Sequence, residues 1–313
     1  MGDRRPVVLV TGANGFVGRH LSPVLARDGW AVRRALRHPL ASANDVVIES
    51  IGAETDWSTA LADVDAVVHL AARVHRPHEE HATDLYGAIN TEGTLRLARC
   101  AAEAGVRHFL FVSTVLVHGR SNDGRAPFSE KDDLTPHGLY GRSKAAAEAG
   151  LKTLAQEGDM NITVVRPPMV YGSGAKGNFA LLAKAVKRGI PLPLASIDNH
   201  RAFLSVENLA SFISRRLLKP DSRFEIFLVA DAEQVSTPEF IRRLSRAAGT
   251  TPRLFPVPTA LLSALLVVGG RREAKDSLIG SLELDLSKAA STGWRPEVTL
   301  DEGLRHALSA PDF

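Results

Sequence analysis

PVVLVTGANGFVGRHLSPVLARDG, residues 6–29, decides the fold. A short β-branched run ends in glycine, and a segment of helical periodicity follows it and stops at Gly29. Gly12, Gly15 and Gly18 stand at the junction. A tight turn, a backbone that can approach a pyrophosphate and a helix packed closely on its strand each call for a residue without a side chain. The first N–H groups of the helix then face the anion. Glycine-rich turns also arise for structural reasons alone, but the position between the first strand and a helix points to a dinucleotide site.

The alternation continues outward from this stretch. AVRRAL (31–36), DAVVHLAA (65–72), RHFLFVST (107–114) and NITVVRP (161–167) read as buried strands, with helical segments at 83–105 and 139–158. Strands separated by helices at this spacing make a parallel sheet covered on both faces, so the expected fold is α/β, a Rossmann doubly wound sheet. After about residue 168 prolines become more frequent and apolar runs shorten, which implies a smaller C-terminal substrate-binding lobe. RFEIFLVAD (223–231) can return a strand to the main sheet. Residues 1–168 with about 202–231 are therefore expected to form the dinucleotide-binding domain, and about 169–201 with 232–313 the lobe.

Composition excludes several classes. Of 313 residues, 44% are apolar and 23% charged, which rules out a disordered, collagenous or disulfide-scaffold chain. Lys and Arg (38) nearly balance Asp and Glu (35), so no nucleic-acid partner is expected. Cys100 is alone and cannot form an internal disulfide, and MGDRRPVVLV carries no export signal; both suit a cytoplasmic location. The most apolar stretch, 257–268, contains Pro258 and falls far short of the roughly 20 residues that cross a bilayer. It reads as a buried helix, and no membrane partner is expected. The histidines of HRPHEEH (75–81) lack zinc-site spacing and have no accompanying cysteines, so they read as a polar loop and no metal is expected.

The second strand carries a further signal. An acidic residue at its end usually binds the adenosine ribose of NAD. RRALRH places Leu36 there, followed by Arg37, which can accept a 2′-phosphate. The alternative is that Arg33, Arg34 and Arg37 are solvated surface charges. The expected cofactor is NAD or NADP, with NADPH favoured.

Tyr140 and Lys144, in YGRSK, are four residues apart and share one face of a helix. A free tyrosine titrates near 10, too high for easy proton exchange at neutral pH, and an adjacent ammonium favours the phenolate. Thr114 ends the FVST strand, where its hydroxyl can bond the reacting oxygen. The three residues can position and polarise one carbinol or carbonyl.

TGANGFVG (11–18), DAVVHLAA (65–72), NTEGT (90–94), FVSTVLVHG (111–119), YGRSK (140–144), RPPMVYG (166–172) and DLSKAASTGWRP (285–296) occur in this order. Over nearly the whole chain the sequence resembles the extended short-chain dehydrogenase/reductase family, in its branch of nucleotide-sugar epimerases, dehydratases and ketoreductases. The resemblance implies that Tyr140 is the acid/base, Lys144 its activator and a ligand of the nicotinamide ribose, and Thr114 the hydrogen-bond donor at the sugar. It implies that Gly12, Gly15, Phe16, Val17 and Gly18 line the pyrophosphate and that Leu70, Ala71 and Ala72 run along the cofactor. It also puts Asn90 and Pro167 near the nicotinamide half, and Asn178 and Arg201 at the diphosphate or ribose of the sugar nucleotide.

Three departures bear on the reaction. Val115 and Leu116 stand where family dehydratases carry an Asp-Glu pair, which disfavours dehydration. His118 replaces a frequent tyrosine and reads as packing. Ala53 stands where an Asp often meets the adenine. The resemblance implies an enzyme acting at C4 of a nucleotide-diphospho-sugar, with UDP as the nucleotide that the family leads one to expect. Reduction of a UDP-4-keto-6-deoxy-N-acetylhexosamine leads, with an NAD-dependent UDP-sugar 4-epimerase as the alternative. A non-catalytic NAD(P)-sensing protein on the same fold is a third reading. The alanine-rich helical segments can pack on a second subunit as a homodimer or within the chain.

Overall fold

A computed structural model describes residues 4–38, 44–74, 83–270 and 272–309. Its first half contains β1 (Val7–Thr11), α1 (Phe16–Arg27), β2 (Ala31–Leu36), β3 (Asp45–Val47), α2 (Ser58–Leu61), β4 (Ala66–His69) and α3 (Thr83–Tyr86). A π-helical segment (Gly87–Glu92) leads into α4 (Gly93–Glu103), and β5 (His108–Val112) is followed by a 3₁₀ turn (Val115–Val117) and α5 (Gly138–Glu157). Then come β6 (Asn161–Arg166), β7 (Met169–Tyr171), α6 (Asn178–Lys187), β8 (Phe203–Ser205), α7 (Val206–Leu218) and β9 (Phe224–Leu228). The chain closes with α8 (Thr237–Ala247), α9 (Thr259–Val268), α10 (Arg272–Leu278), α11 (Ser287–Ser291) and α12 (Leu300–Ser309).

The chain divides into two compact units. The first comprises Met1–His118, Asp133–Pro167 and Ala210–Phe227. Its seven-stranded sheet runs β3-β2-β1-β4-β5-β6-β9, the doubly wound α/β arrangement expected from the alternation. Pairing is parallel between β3 and β2, β2 and β1, β1 and β4, β4 and β5, and β5 and β6. The crossovers diverge from β1 and β4, and the carboxyl ends of those strands are where such sheets bind ligands. The strands are apolar almost without alternation because both faces are covered. Leu9, Val67, Phe109 and Ile162 pack in one core with Trp57, Leu97 and Leu151. Val8, Val10, Leu21 and Leu25 are buried as well.

The second unit comprises Gly119–Asp132, Pro168–Leu209 and Leu228–Phe313. β7 and β8 pair in parallel, Met169 with Phe203 and Tyr171 with Ser205. Phe203 and Phe240 stack with centroids 4.0 Å apart, and Tyr171 meets Phe240 edge to face. Beneath them the buried Asp231 carboxylate accepts from Tyr171 Oη at 2.7 Å, Ser205 N at 3.0 Å and Asn208 Nδ2 at 2.7 Å. Each buried polar group is satisfied by another, which fixes the arrangement of this small core.

Several local expectations change. The helix expected over 83–105 is interrupted by the π-helical segment, whose wider turn accommodates one extra residue. The strand expected at 65–72 leaves the sheet after His69, and the short edge strand β3 had no periodic signal. The apolar 257–268 segment does form a helix after Pro258, but only Leu262 is buried, while Leu261, Leu265 and Val268 are 53%, 60% and 87% exposed. Apolar composition alone cannot distinguish a covered helix from an uncovered one. The histidine cluster of 75–81 lies outside the described residues.

Candidate active site

Thr11 ends β1, and Gly12 turns the chain with φ at +68°, a conformation costly for any residue with a Cβ. A Cβ on Gly12 would sit 2.9 Å from Ala71 N, and one on Gly18 would sit 2.5 Å from Ala13 Cα. Gly15 N donates to Gly12 O at 2.9 Å, and Gly15 caps α1 without a side-chain bond. The first N–H groups of α1, from Phe16 and Val17 onward, therefore have no side-chain cap and suit an anion. Leu70, Ala71 and Ala72 run out half-buried beside this turn, with Leu70 N on Thr11 O and Ala71 N on Thr11 Oγ1. The cradle fits a dinucleotide, since a Cβ at Gly12 or Gly18 would strike backbone and the first N–H groups of α1 carry no side-chain cap.

At the second strand, Leu36 is buried, and Arg37 is exposed directly after it. Arg33 and Arg34 are committed elsewhere. Arg33 donates to Ala60 O and Ala62 O, and Arg34 forks onto Asp45 at 2.7 and 3.0 Å. Of the three arginines weighed from the sequence, Arg37 alone is exposed. A cleft of about 440 Å³ lies nearby, lined by Ala13, Asn14, Arg19, Ser22, Pro23 and Arg34.

The catalytic candidates all belong to the first unit, Thr114 just beyond β5 and Tyr140 and Lys144 on α5. Gly141 lets α5 approach the turn after β5, since a Cβ there would lie 3.0 Å from Leu116 O. Tyr140 and Lys144 share the buried side of that helix, the Lys144 ammonium lying 6.0 Å from the Tyr140 ring centroid and 4.1 Å from that of Phe111. Lys144 Nζ donates to Val112 O at 2.8 Å, two residues before Thr114. Burial pushes the Lys144 pKa down to about 7, while the Glu148 carboxylate pulls it upward. Burial pushes Tyr140 up to about 12, so its phenol holds its proton at neutral pH. Thr114 is buried, and its Oγ1 accepts from Leu116 N at 3.2 Å, leaving its own O–H to donate. Pro167 is buried, and its carbonyl accepts from Val115 N at 2.9 Å.

Asn90 acts as a brace. Its Oδ1 accepts from Arg73 N at 2.7 Å, while Nδ2 donates to Arg73 O at 2.9 Å and to Ser143 Oγ at 3.0 Å. Ser143 Oγ in turn donates to Tyr140 O. The π-helical segment thereby ties the chain leaving β4 to the helix carrying Tyr140 and Lys144.

Two buried groups that sequence reasoning missed support this frame. His69 is wholly buried, with Nδ1 2.7 Å from Thr11 Oγ1 and Nε2 2.9 Å from Thr94 Oγ1. Thr94 gives its hydrogen to Asn90 O, so Nε2 carries the ring proton and Nδ1 accepts from Thr11. Burial holds the His69 pKa down to about 3. One turn after Lys144 on α5, Glu148 accepts from Ser113 Oγ and from Arg166, whose Nη1 lies 2.8 Å from His118 Nε2. His118 thus belongs to a buried polar network. The signal for Glu148 was its place one turn after Lys144 on the same helix face; for His69 the sequence held none.

Asn178 and Arg201 belong to the second unit. Asn178 is exposed and opens α6. Arg201 Nη1 donates to the carbonyls of Asp276 and Gly280, and burial pushes its pKa down to about 10.

Comparison with known proteins agrees with this geometry. Residues 8–230 match the NAD dependent epimerase/dehydratase family. A UDP-glucose 4-epimerase of Vibrio cholerae is 36% identical over 99% of this chain and 97% of its own length. A GDP-6-deoxy-D-mannose reductase of Pseudomonas aeruginosa is 28% identical, covering 96% of each chain. The structure of RMD from Pseudomonas aeruginosa complexed with NADPH superposes with a TM-score of 0.73 at 26% identity, over 97% of this chain and 98% of that one. A glycine cradle after β1, with Thr114, Tyr140 and Lys144 gathered near the ends of the central strands, thus stands in a chain that belongs to the NAD dependent epimerase/dehydratase family, an NAD(P)-dependent enzyme of the nucleotide-sugar epimerases and reductases.

Proposed function

We propose that the enzyme reduces the 4-keto group of a UDP-4-keto-6-deoxy-N-acetylhexosamine, with NADPH as the favoured reductant. The observation that carries this reading is the end of β2, where a buried Leu36 and an exposed Arg37 replace the acid that would hold an unphosphorylated ribose. Bound NADPH, held at the turn of Gly12, Gly15 and Gly18, would supply the hydride for the keto carbon. Thr114 donates a hydrogen bond to the keto oxygen, Tyr140 gives that oxygen its proton, and Lys144 stabilises the phenolate left behind. Tyr140, protonated at neutral pH, starts in the form that reduction requires. Arg201 and Asn178 are assigned to the diphosphate and ribose of the substrate, and Phe16, Val17 and Ala72 to the cofactor.

A second reading, 4-epimerisation of a UDP-sugar with retained NAD, is favoured by the 36% identity to the Vibrio cholerae protein. In that reaction Tyr140 removes and then returns the proton of the C4 hydroxyl. Absorbance of the reduced nicotinamide, followed while the enzyme meets UDP-4-keto-6-deoxy-N-acetylhexosamine, separates the two. Loss of absorbance equal to product formed supports reduction. No loss, together with interconversion of UDP-glucose and UDP-galactose, establishes the epimerase instead. Turnover of neither substrate with cofactor bound favours the sensor reading. The alanine-rich α4 and α5 are the surfaces we assign to a homodimer.

A further inference from the structure

Lys144 Nζ gives a hydrogen to Val112 O at 2.8 Å. The same ammonium stands 4.1 Å from the ring centroid of Phe111, a wholly buried side chain of β5. The face of an aromatic ring is its negative side, and a cation within about 6 Å of the centroid is drawn to it, most strongly where water is excluded. Lys144 is itself buried, and the Tyr140 ring lies farther off, at 6.0 Å. Phe111 is therefore the nearer aromatic face to a charge that burial disfavours.

Strand pairing steadies that ring. β4 and β5 run in parallel with His69 opposite Phe111, and the two rings lie 19° apart in plane with centroids separated by 5.8 Å. His69 is held at both nitrogens, by Thr11 and Thr94, and burial keeps it neutral, so it packs against Phe111 without bringing a second cation. The other titratable groups near Lys144 are Tyr140 and Glu148 on α5 itself and, through Glu148, Arg166 from β6. Glu148 pulls the Lys144 pKa upward, yet burial has taken it down to about 7. At that value a modest preference for either form decides how much of the enzyme carries the charge near neutral pH.

We propose that Phe111 is a positioning residue for the reaction, its ring face holding the Lys144 ammonium beside Val112 O and favouring the charged form that stabilises the Tyr140 phenolate. The proposal rests on the role given to Lys144 above. The test follows the Lys144 charge directly, by pH titration of its side-chain NMR signal in the full chain, with carbon-13 at the lysine Cε and the signal assigned by its loss in Lys144→Met. Singly, doubly and triply fluorinated phenylalanines in place of Phe111 drain the ring face with little change in size, and Phe111→Leu removes it. The titration midpoint is expected to fall stepwise along the fluorinated series and by about one pH unit in Phe111→Leu, a roughly tenfold weaker hold on the proton. The alkaline limb of kcat/KM, for whichever of the two UDP-sugar substrates is turned over, is expected to move down with it. Thermal midpoints check that each protein is folded, and the fluorinated series carries the test should Phe111→Leu unfold. A midpoint that stays put across the series is what a merely structural ring would give; it overturns the proposal and leaves the reaction untouched. A limb of kcat/KM that stays put while the titration moves also overturns it. Normal turnover by Lys144→Met, by contrast, removes Lys144 from the reaction, and the reading beneath the proposal falls together with it.

Discussion

Arg166 forks onto Glu148, with Nη2 2.5 Å from Oε2 and Nε 3.2 and 3.1 Å from Oε1 and Oε2, and both side chains are buried. The pair joins the end of β6 to the helix that carries Tyr140 and Lys144. Removing one partner strands a charge away from water, so Arg166→Met is expected to cost about 3–5 kcal/mol in urea denaturation. Arg166→Met combined with Glu148→Leu is expected to recover most of that loss. A single substitution costing under about 1 kcal/mol would count against an intact buried pair.

Tyr140→Phe removes one oxygen from the site. Turnover is expected to fall about 10²- to 10⁴-fold, while the dissociation constant for NADPH, read by fluorescence titration, changes little. Retained turnover would remove Tyr140 from the acid/base role.

Gly18→Ala puts a Cβ against Gly12 O and Ala13, where backbone cannot yield. We expect NADPH affinity to fall about tenfold or more and the thermal midpoint to drop. Gly29→Ala is a control for the helix end: it meets nothing within 4 Å, though its φ of +98° is strained. It is expected to lower stability and leave cofactor affinity intact.

Arg37→Ala tests the reading of the second strand. The ratio of NADPH to NADH affinity is expected to fall about tenfold, since one charge-assisted contact to a phosphate is lost. An unchanged ratio would return Arg37 to the solvated surface.

His69 couples stability to acid. Its pKa is about 3 when folded against 6.5 when free, so below pH 6.5 the unfolded chain takes up a proton that the folded one refuses. Stability is therefore present above pH 6.5 and declines as pH falls toward 3, by up to about 1.4 kcal/mol per pH unit for this group. His108, held down to about 4 by burial, adds to the decline. Denaturation midpoints of His69→Gln between pH 6.5 and 4.5 are expected to show a shallower slope than the natural chain; parallel slopes would exclude His69 as the cause.

Local sequence was enough to determine the doubly wound sheet, the cradle at Gly12, Gly15 and Gly18, and the Tyr140–Lys144 pair, because each depends on periodicity or spacing within one segment. Tertiary structure alone decided what depends on residues distant in sequence. Thr11, His69 and Thr94 become one hydrogen-bonded chain only when β1 and β4 pair and α4 packs beside them. Glu148 meets Arg166 and Ser113 only after β5, β6 and α5 assemble, and Asn90 becomes a brace only where a π turn aims it at Arg73 and Ser143. The outward face of α9 is the same lesson in reverse. Hydropathy measures a segment's preference to leave water, while burial requires a neighbour to cover it, and only the folded chain reveals which apolar side chains have one.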